Sequence, residues 1–151
     1  MRPIVLLCCA AVLVGCGGGD ETPAADTTAA APAPPALMLS DLAGRWTAQA
    51  MSETSDSVLV TYEMTATADT SGWMLMLPNR PPMAMRVMVA GDSVVTEAGP
   101  YESVLRAGVQ VSTRSVMRMQ GGQLVGTTTA RYQTASGDSV VTLRTRATRV
   151  P

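Results

Sequence analysis

The sequence predicts an all-β domain: an eight-stranded antiparallel up-and-down meander closed into a barrel. Three observations carry that expectation. Apolar and polar residues alternate with period two through the domain, the spacing of strands with one face buried. Short turns rich in Gly and Asp separate the runs, at Gly91-Asp92, Gly121-Gly122 and Ser136-Gly137-Asp138. No stretch holds a long helical period. Closure is expected because it removes the exposed edges of an open meander.

The elements follow in chain order. A single helical turn is expected at Ser40-Asp41-Leu42-Ala43, with Ser40 or Asp41 as its cap. Gly44 to Met51 is the first strand and Val58 to Thr67 the second, with Val58, Val60, Tyr62, Met64 and Ala66 on one face. Trp73 to Leu77 is the third, closed by Pro78-Asn79-Arg80-Pro81-Pro82, a cluster that no ladder admits. Met83 to Val89 is the fourth and Ser93 to Ala98 the fifth, and Gly99-Pro100 then breaks the pattern. The segment from Tyr101 to Gly108 has no clear periodicity. Val109 to Gln120 is the sixth strand, Gln123 to Gln133 the seventh and Ser139 to Arg149 the eighth, joined by tight turns. Asp56-Ser57-Val58, Asp92-Ser93-Val94 and Asp138-Ser139-Val140 each open a strand, and their Asp and Ser are expected to bond nearby backbone and shape the turns.

The domain, residues 37 to 151, contains no Phe, two Trp and three Tyr, so its core volume must come from Val, Leu and Met. Most acidic residues precede Gly99, whereas Arg106, Arg114, Arg118, Arg131, Arg144, Arg146 and Arg149 follow it. Such polarisation can mark a binding face. Arg114 and Arg118 share one face of the sixth strand and Arg144 and Arg146 one face of the eighth, a candidate cationic strip for anionic headgroups or an amphiphile's carboxylate. The bland reading of the same residues is a solvated outer face. Near-zero net charge makes nucleic acid a poor partner.

Ahead of the domain, Arg2 precedes an apolar run from Ile4 to Val14 that ends Leu13-Val14-Gly15-Cys16. A charged start and a run too short to span a bilayer indicate an export signal. The ending resembles the lipobox of bacterial lipoproteins. That resemblance implies cleavage after residue 15 and lipidation of Cys16, the only thiol left in the mature chain. It also implies attachment at the periplasmic face of the outer membrane, because Gly17 stands where an Asp would favour inner-membrane retention. Residues 17 to 36 hold Gly, Ala, Thr, Pro and three acids without a large apolar side chain, the composition of a disordered tether. Drawn out in polyproline geometry it would reach on the order of 50 Å.

Leu42-Ala43-Gly44-Arg45-Trp46 resembles the opening of lipocalin-like barrels, as does Leu124-Val125-Gly126-Thr127 with Tyr132 their late strands. The resemblance implies that Gly44 and Trp46 form a barrel plug and that a late arginine packs over the Trp, with Arg144, Arg146 and Arg149 as candidates. The domain is shorter than a full lipocalin and lacks the usual C-terminal helix.

The chain has no His and no Lys. That removes the commonest general base near neutral pH and the Ser-x-x-Lys pattern, and no Gly-x-Ser-x-Gly elbow or phosphate-binding loop is present. No enzyme activity, cofactor or resident metal is expected. Met74-x-Met76, Met83-x-Met85 and Met117-x-Met119 each place two thioethers on one strand face, a pattern able to hold Cu(I). The plainer reading is that Met fills space that Phe would otherwise occupy. The leading functional expectation is a membrane-anchored module that binds a small hydrophobic or amphipathic ligand inside the barrel. Val60, Tyr62, Met64, Trp73, Leu75, Met83, Met85, Val87, Val141 and Leu143 are the expected lining. Its rival is a fully packed barrel that contacts a partner through the arginine strip or a loop.

Overall fold

The computed structural model describes residues 36–151. Cys16, the export signal and almost all of the expected tether lie outside them. The described residues are all-β apart from one 3₁₀ turn at Leu39–Leu42. Nine strands form one antiparallel sheet: β1 (Gly44–Ser52), β2 (Val58–Ala66), β3 (Met74–Met76), β4 (Met83–Ala84), β5 (Arg86–Ala90), β6 (Ser93–Glu102), β7 (Gln110–Gln120), β8 (Gln123–Thr134) and β9 (Gly137–Arg149). Their order is β4-β3-β2-β1-β9-β8-β7-β6-β5. The meander thus curls into a nearly closed barrel, with β1 and β9 paired where the chain begins and ends its circuit.

The element expected as a single fourth strand is divided. Its first half pairs with β3, through Met74↔Ala84 and Leu75↔Met83. Its second half pairs with β6, from Arg86↔Glu97 to Ala90↔Ser93. Met85 sits at the changeover, its N–H donating to the Trp73 carbonyl at 2.9 Å. One pass of chain therefore supplies both edges of the sheet, and the barrel closes through Met85. Above the changeover the seam is held by side chains: Leu77 and Ala98 pack with Met83, Met85 and Tyr101.

The break expected at Gly99-Pro100 is a bulge within β6. Pairing to β7 shifts between Ala98 and Tyr101 and then resumes at Tyr101↔Val111. Pro100 is tolerated because β5 has already ended, so this stretch of β6 has no strand on its other side to receive an N–H. The 3₁₀ turn also differs from expectation. It starts one residue earlier, at Leu39, and Met38 precedes it without a side-chain cap. The side-chain-to-backbone bonds expected of the three Asp-Ser-Val repeats are not seen among the described residues: Asp92 and Ser93 join their side chains to each other, at 2.9 Å. Asp56 and Asp138 face Arg144 and Arg131 instead.

Three clusters fill the interior, two of them away from the tryptophans, around Leu75, Leu77 and Ala98 and around Val111, Ala130 and Tyr132. At one end Trp46, fully buried, packs with Leu42, Met64, Trp73, Val94, Met117, Leu124 and Ala147. Its indole N–H donates to the Leu42 carbonyl at 2.8 Å. The Trp73 indole N–H reaches the carbonyls of Thr67 and Asp69 at 3.2 and 2.9 Å, so the β2–β3 turn seats the second tryptophan. Leu37 N–H bonds the Gly91 carbonyl at 3.2 Å, so the described chain starts at this plugged end. Between the ends, a hydroxyl ladder crosses the wall inside: Ser115 to Thr128 at 2.7 Å and Thr128 to Thr145 at 2.6 Å. Among the described residues no buried side-chain polar atom lacks a partner, as burial of hydroxyls requires.

Candidate functional site

Away from the Trp46 plug, the barrel is hollow. A cavity of about 70 Å³ lies among side chains of β1–β3, Met85, β6–β9 and the loop that follows Glu102. Six of the residues expected to line a pocket do so: Val60, Tyr62, Met64, Leu75, Met85 and Leu143. Four do not. Trp73 and Val87 belong to the plug, Met83 packs into the seam, and Val141 packs against Val111, Ala130 and Tyr132. Each points inward as alternation requires, but at a depth along the axis that alternation does not encode.

The cavity's remaining wall includes Leu77, Tyr101, Val111, Ala130 and Tyr132, with Ser103, Val104 and Leu105 across its mouth. This loop is built to keep its shape. The buried Ser103 hydroxyl accepts the N–H groups of Leu105 and Arg106, both at 3.0 Å, and Ser103 N–H donates to Val109 at 2.7 Å. Gly108 N–H donates to the Glu102 carboxylate at 3.0 Å. The Arg106 guanidinium lies 4.1 Å from the centre of the Tyr132 ring and donates to the Ser139 hydroxyl at 3.4 Å. Arg80 donates to the Glu102 carbonyl. Val104 and Leu105, though lining the cavity, remain substantially exposed, as do Val58, Leu59 and Val140 at the same end. The side of the barrel remote from the Trp46 plug therefore presents an apolar rim.

Three tyrosines face this space. Tyr101 donates a long 3.5 Å bond to Thr113. Tyr62 has no hydrogen-bond partner among the described residues, and since no sealed polar atom is unpartnered, its hydroxyl borders accessible space. Burial pushes the Tyr62 hydroxyl well above its ordinary titration range, with Tyr101 adding a smaller push in the same direction. Tyr62 stays a neutral donor throughout the physiological range, the right form to bond an oxygen entering a mostly apolar chamber.

At the plugged end, Arg149 is the late arginine beside Trp46. The two residues are register partners, and the guanidinium sits 4.5 Å from the ring centre. Its two terminal nitrogens donate to the Ala43 and Asp41 carbonyls. Gly44 makes room for it: a Cβ there would lie 2.7 Å from the guanidinium, and its φ of 135° disfavours any side chain.

Of the four arginines expected as a cationic strip, Arg114 and Arg118 share the outer face of β7, and Arg118 and Arg146 flank Val125 in one register row across β7, β8 and β9. Arg114 lies 3.5 Å from Glu97. Arg144 turns toward the β1–β2 connection, donating to the Ser52 and Ser55 carbonyls at 3.2 and 2.6 Å and to Asp56 at 2.8 Å. The guanidinium holds the Asp56 carboxyl below its ordinary 3.8, through the hydrogen bond first and charge second. A carboxyl with a depressed folded pKa adds stability above its unfolded value, lost as pH falls through the folded one. An NMR titration of Asp56 should therefore show a midpoint below 3.8 that rises toward the ordinary value in Arg144→Gln.

The methionine pairs are dispersed. Met74 and Met76 lie on the outward face of β3, on the register opposite inward Leu75. Met83 and Met117 belong to different clusters. Among the described residues no group of three or more His, Cys, Asp or Glu is placed to hold a metal, and no helix is long and apolar enough to cross a membrane. Comparison with protein-family models, curated proteins and solved structures finds no match.

Proposed function

We propose that this protein is a lipid-anchored envelope protein of the bacterial periplasm, held at the outer membrane through Cys16, whose lipocalin-like barrel takes a small apolar group into its interior. The observation that carries the binding reading is the cavity between the Trp46 plug and the Ser103–Val109 loop, apolar in most of its lining and bordered by tyrosine hydroxyls, among them Tyr62, that are not engaged with other side chains. The Gly44, Trp46 and Arg149 arrangement supports the lipocalin-like reading, because it matches what that resemblance implies for the closed end. The lipobox at Leu13-Val14-Gly15-Cys16 supports the anchor.

The cavity's size narrows the ligand. Pockets for drug-sized molecules occupy about 300–1,000 Å³, and a dry cavity that admits benzene about 150 Å³. At about 70 Å³ this chamber suits the end of an alkyl chain, the rest of the amphiphile leaving past Val104 and Leu105. The same volume favours a second reading, a packed barrel that binds no small molecule and meets a partner through its apolar rim.

Titration of the delipidated mature protein with an environment-sensitive fatty dye separates the two. The expected result is saturable fluorescence enhancement with a rise in Tm, and loss of both in Ala130→Leu, which adds bulk to the cavity wall. A packed barrel gives no saturable signal, or an equal one in both proteins.

A further inference from the structure

A second concavity lies on the outer wall, where a barrel is ordinarily convex, and the backbone supplies its cause. The β6 bulge interrupts the ladder between Ala98 and Tyr101, just where β5 ends and leaves β6 without a second neighbour. Gly99, at φ 111°, lets the strands approach: a Cβ there would stand 2.7 Å from the Val111 carbonyl oxygen and 2.9 Å from the Ser112 Cα. The resulting open groove measures about 570 Å³.

Arginines from three different strands line it: Arg86, Arg114 and Arg131, against one carboxylate, Glu97. Arg86, Glu97 and Arg114 stand in one register row across β5, β6 and β7. Glu97 is shared between its two neighbours at 3.8 and 3.5 Å, longer than the about 2.7–2.9 Å of a full charge-assisted hydrogen bond. Arg131 is 3.7 Å from Asp138, which does not line the groove. All three arginine side chains are more than half exposed, and each guanidinium keeps most of its five donors uncommitted. Ser112 and Thr129 add neutral hydroxyls at the same place.

From this we infer that the groove binds a compact anion with two or more charged groups, the class of polycarboxylates and phosphate esters. Three cations against two carboxylates, Glu97 within the groove and Asp138 beside Arg131, leave a local excess of one positive charge, and the planar fork of each guanidinium matches the paired oxygens of carboxylate or phosphate. A monoanion would engage one arginine and gain little over water, as exposed ion pairs generally do. The site is independent of the interior cavity and stands whether or not that cavity takes a ligand.

Calorimetric titration of the mature protein at low salt, with pyrophosphate, citrate and acetate, tests it alongside backbone NMR. Pyrophosphate and citrate should bind at one site and acetate should not, with amide shifts at Gly99, Ser112 and Thr129 and affinity falling as salt rises. Arg114→Gln should weaken binding about tenfold, and Arg146→Gln, an exposed arginine outside the groove, less than twofold. Absence of saturable binding by either polyanion would overturn the inference, as would equal losses in the two variants. Binding to phosphatidylglycerol vesicles without any response to soluble polyanions would overturn it in favour of a lipid surface.

Discussion

Replacing Trp46 with Ala should cost about 3–5 kcal/mol of folding stability, the range for truncating a buried aromatic. Trp46 is fully buried at the centre of the largest cluster, donates to the Leu42 carbonyl, and carries Arg149 over its outer face. The truncation would leave a void against Leu42, Met64 and Trp73, strand the Leu42 carbonyl, and release Arg149 from its platform. A domain of this size has roughly 5–15 kcal/mol in hand, and no cysteine lies beyond residue 16 to brace it. Urea unfolding followed by Trp73 fluorescence should show the midpoint displaced by that amount at unchanged slope. Trp46→Phe should recover most of the packing and lose mainly the hydrogen bond, about 1 kcal/mol with its stranded carbonyl. A loss below 1 kcal/mol in Trp46→Ala would mean that the cluster is not the barrel's plug.

The second large effect is expected at Gly126. It faces inward on β8 directly opposite Met117, and a Cβ placed there would lie 1.9 Å from the Val116 carbonyl oxygen and 2.8 Å from the Met117 Cα. Both obstacles are backbone, so no rotamer relieves the contact; β7 and β8 would have to separate. Gly126→Ala should therefore lose more than about 3 kcal/mol, the scale reached when overpacking forces the backbone to move, and the dispersed amide spectrum of the folded barrel should collapse. Gly121→Ala is the control. That glycine has a positive φ of 57° but open space around it, so its cost should stay near the 1–2 kcal/mol of a left-handed alanine. Equal stabilities for the two variants would contradict the close approach of β7 and β8.

These positions also show how far the sequence was informative. The inward faces of β2 and β9 were legible, because Val60, Tyr62 and Met64, and likewise Leu143, Thr145 and Ala147, alternate without interruption. The changeover at Met85 was not, since Met83, Met85 and Val87 keep perfect alternation while the pairing partner switches from β3 to β6. Side-chain period records which face is buried and carries no trace of the neighbour. Pro100 misled for a related reason: a proline reads as the end of a strand unless its missing N–H faces no partner, and that depends on where β5 stops.

The candidate site was legible by face and not by depth. Trp73 and Val87 point inward like Tyr62 and Leu75, yet sit in the plug. Tyr101, Ser103, Val104 and Leu105 were missed because the sequence from Tyr101 to Gly108 has no period: Tyr101 rejoins β6 only beyond the bulge, and the order of the following loop comes from the Ser103 hydroxyl accepting two backbone N–H groups. A Ser followed by an aperiodic stretch was the one local signal available. The arginine cluster was missed although β5 to β8 are consecutive strands of the meander, because the register that sets Arg86, Glu97 and Arg114 in one row leaves no mark in the side-chain period, and Arg144 turns to Asp56.

The interior chamber is tested most directly by locating a small apolar probe within the folded protein. Methyl-resolved NMR of the mature protein titrated with a short-chain alcohol such as 1-hexanol should show saturable shifts at Leu75, Leu77, Ala130 and Leu143, which line the chamber. Leu124 and Val94, in the plug, should stay unmoved. Shifts confined to the exposed rim at Val58, Leu59 and Val140, with the interior methyls still, would contradict a ligand chamber and leave the barrel a packed scaffold.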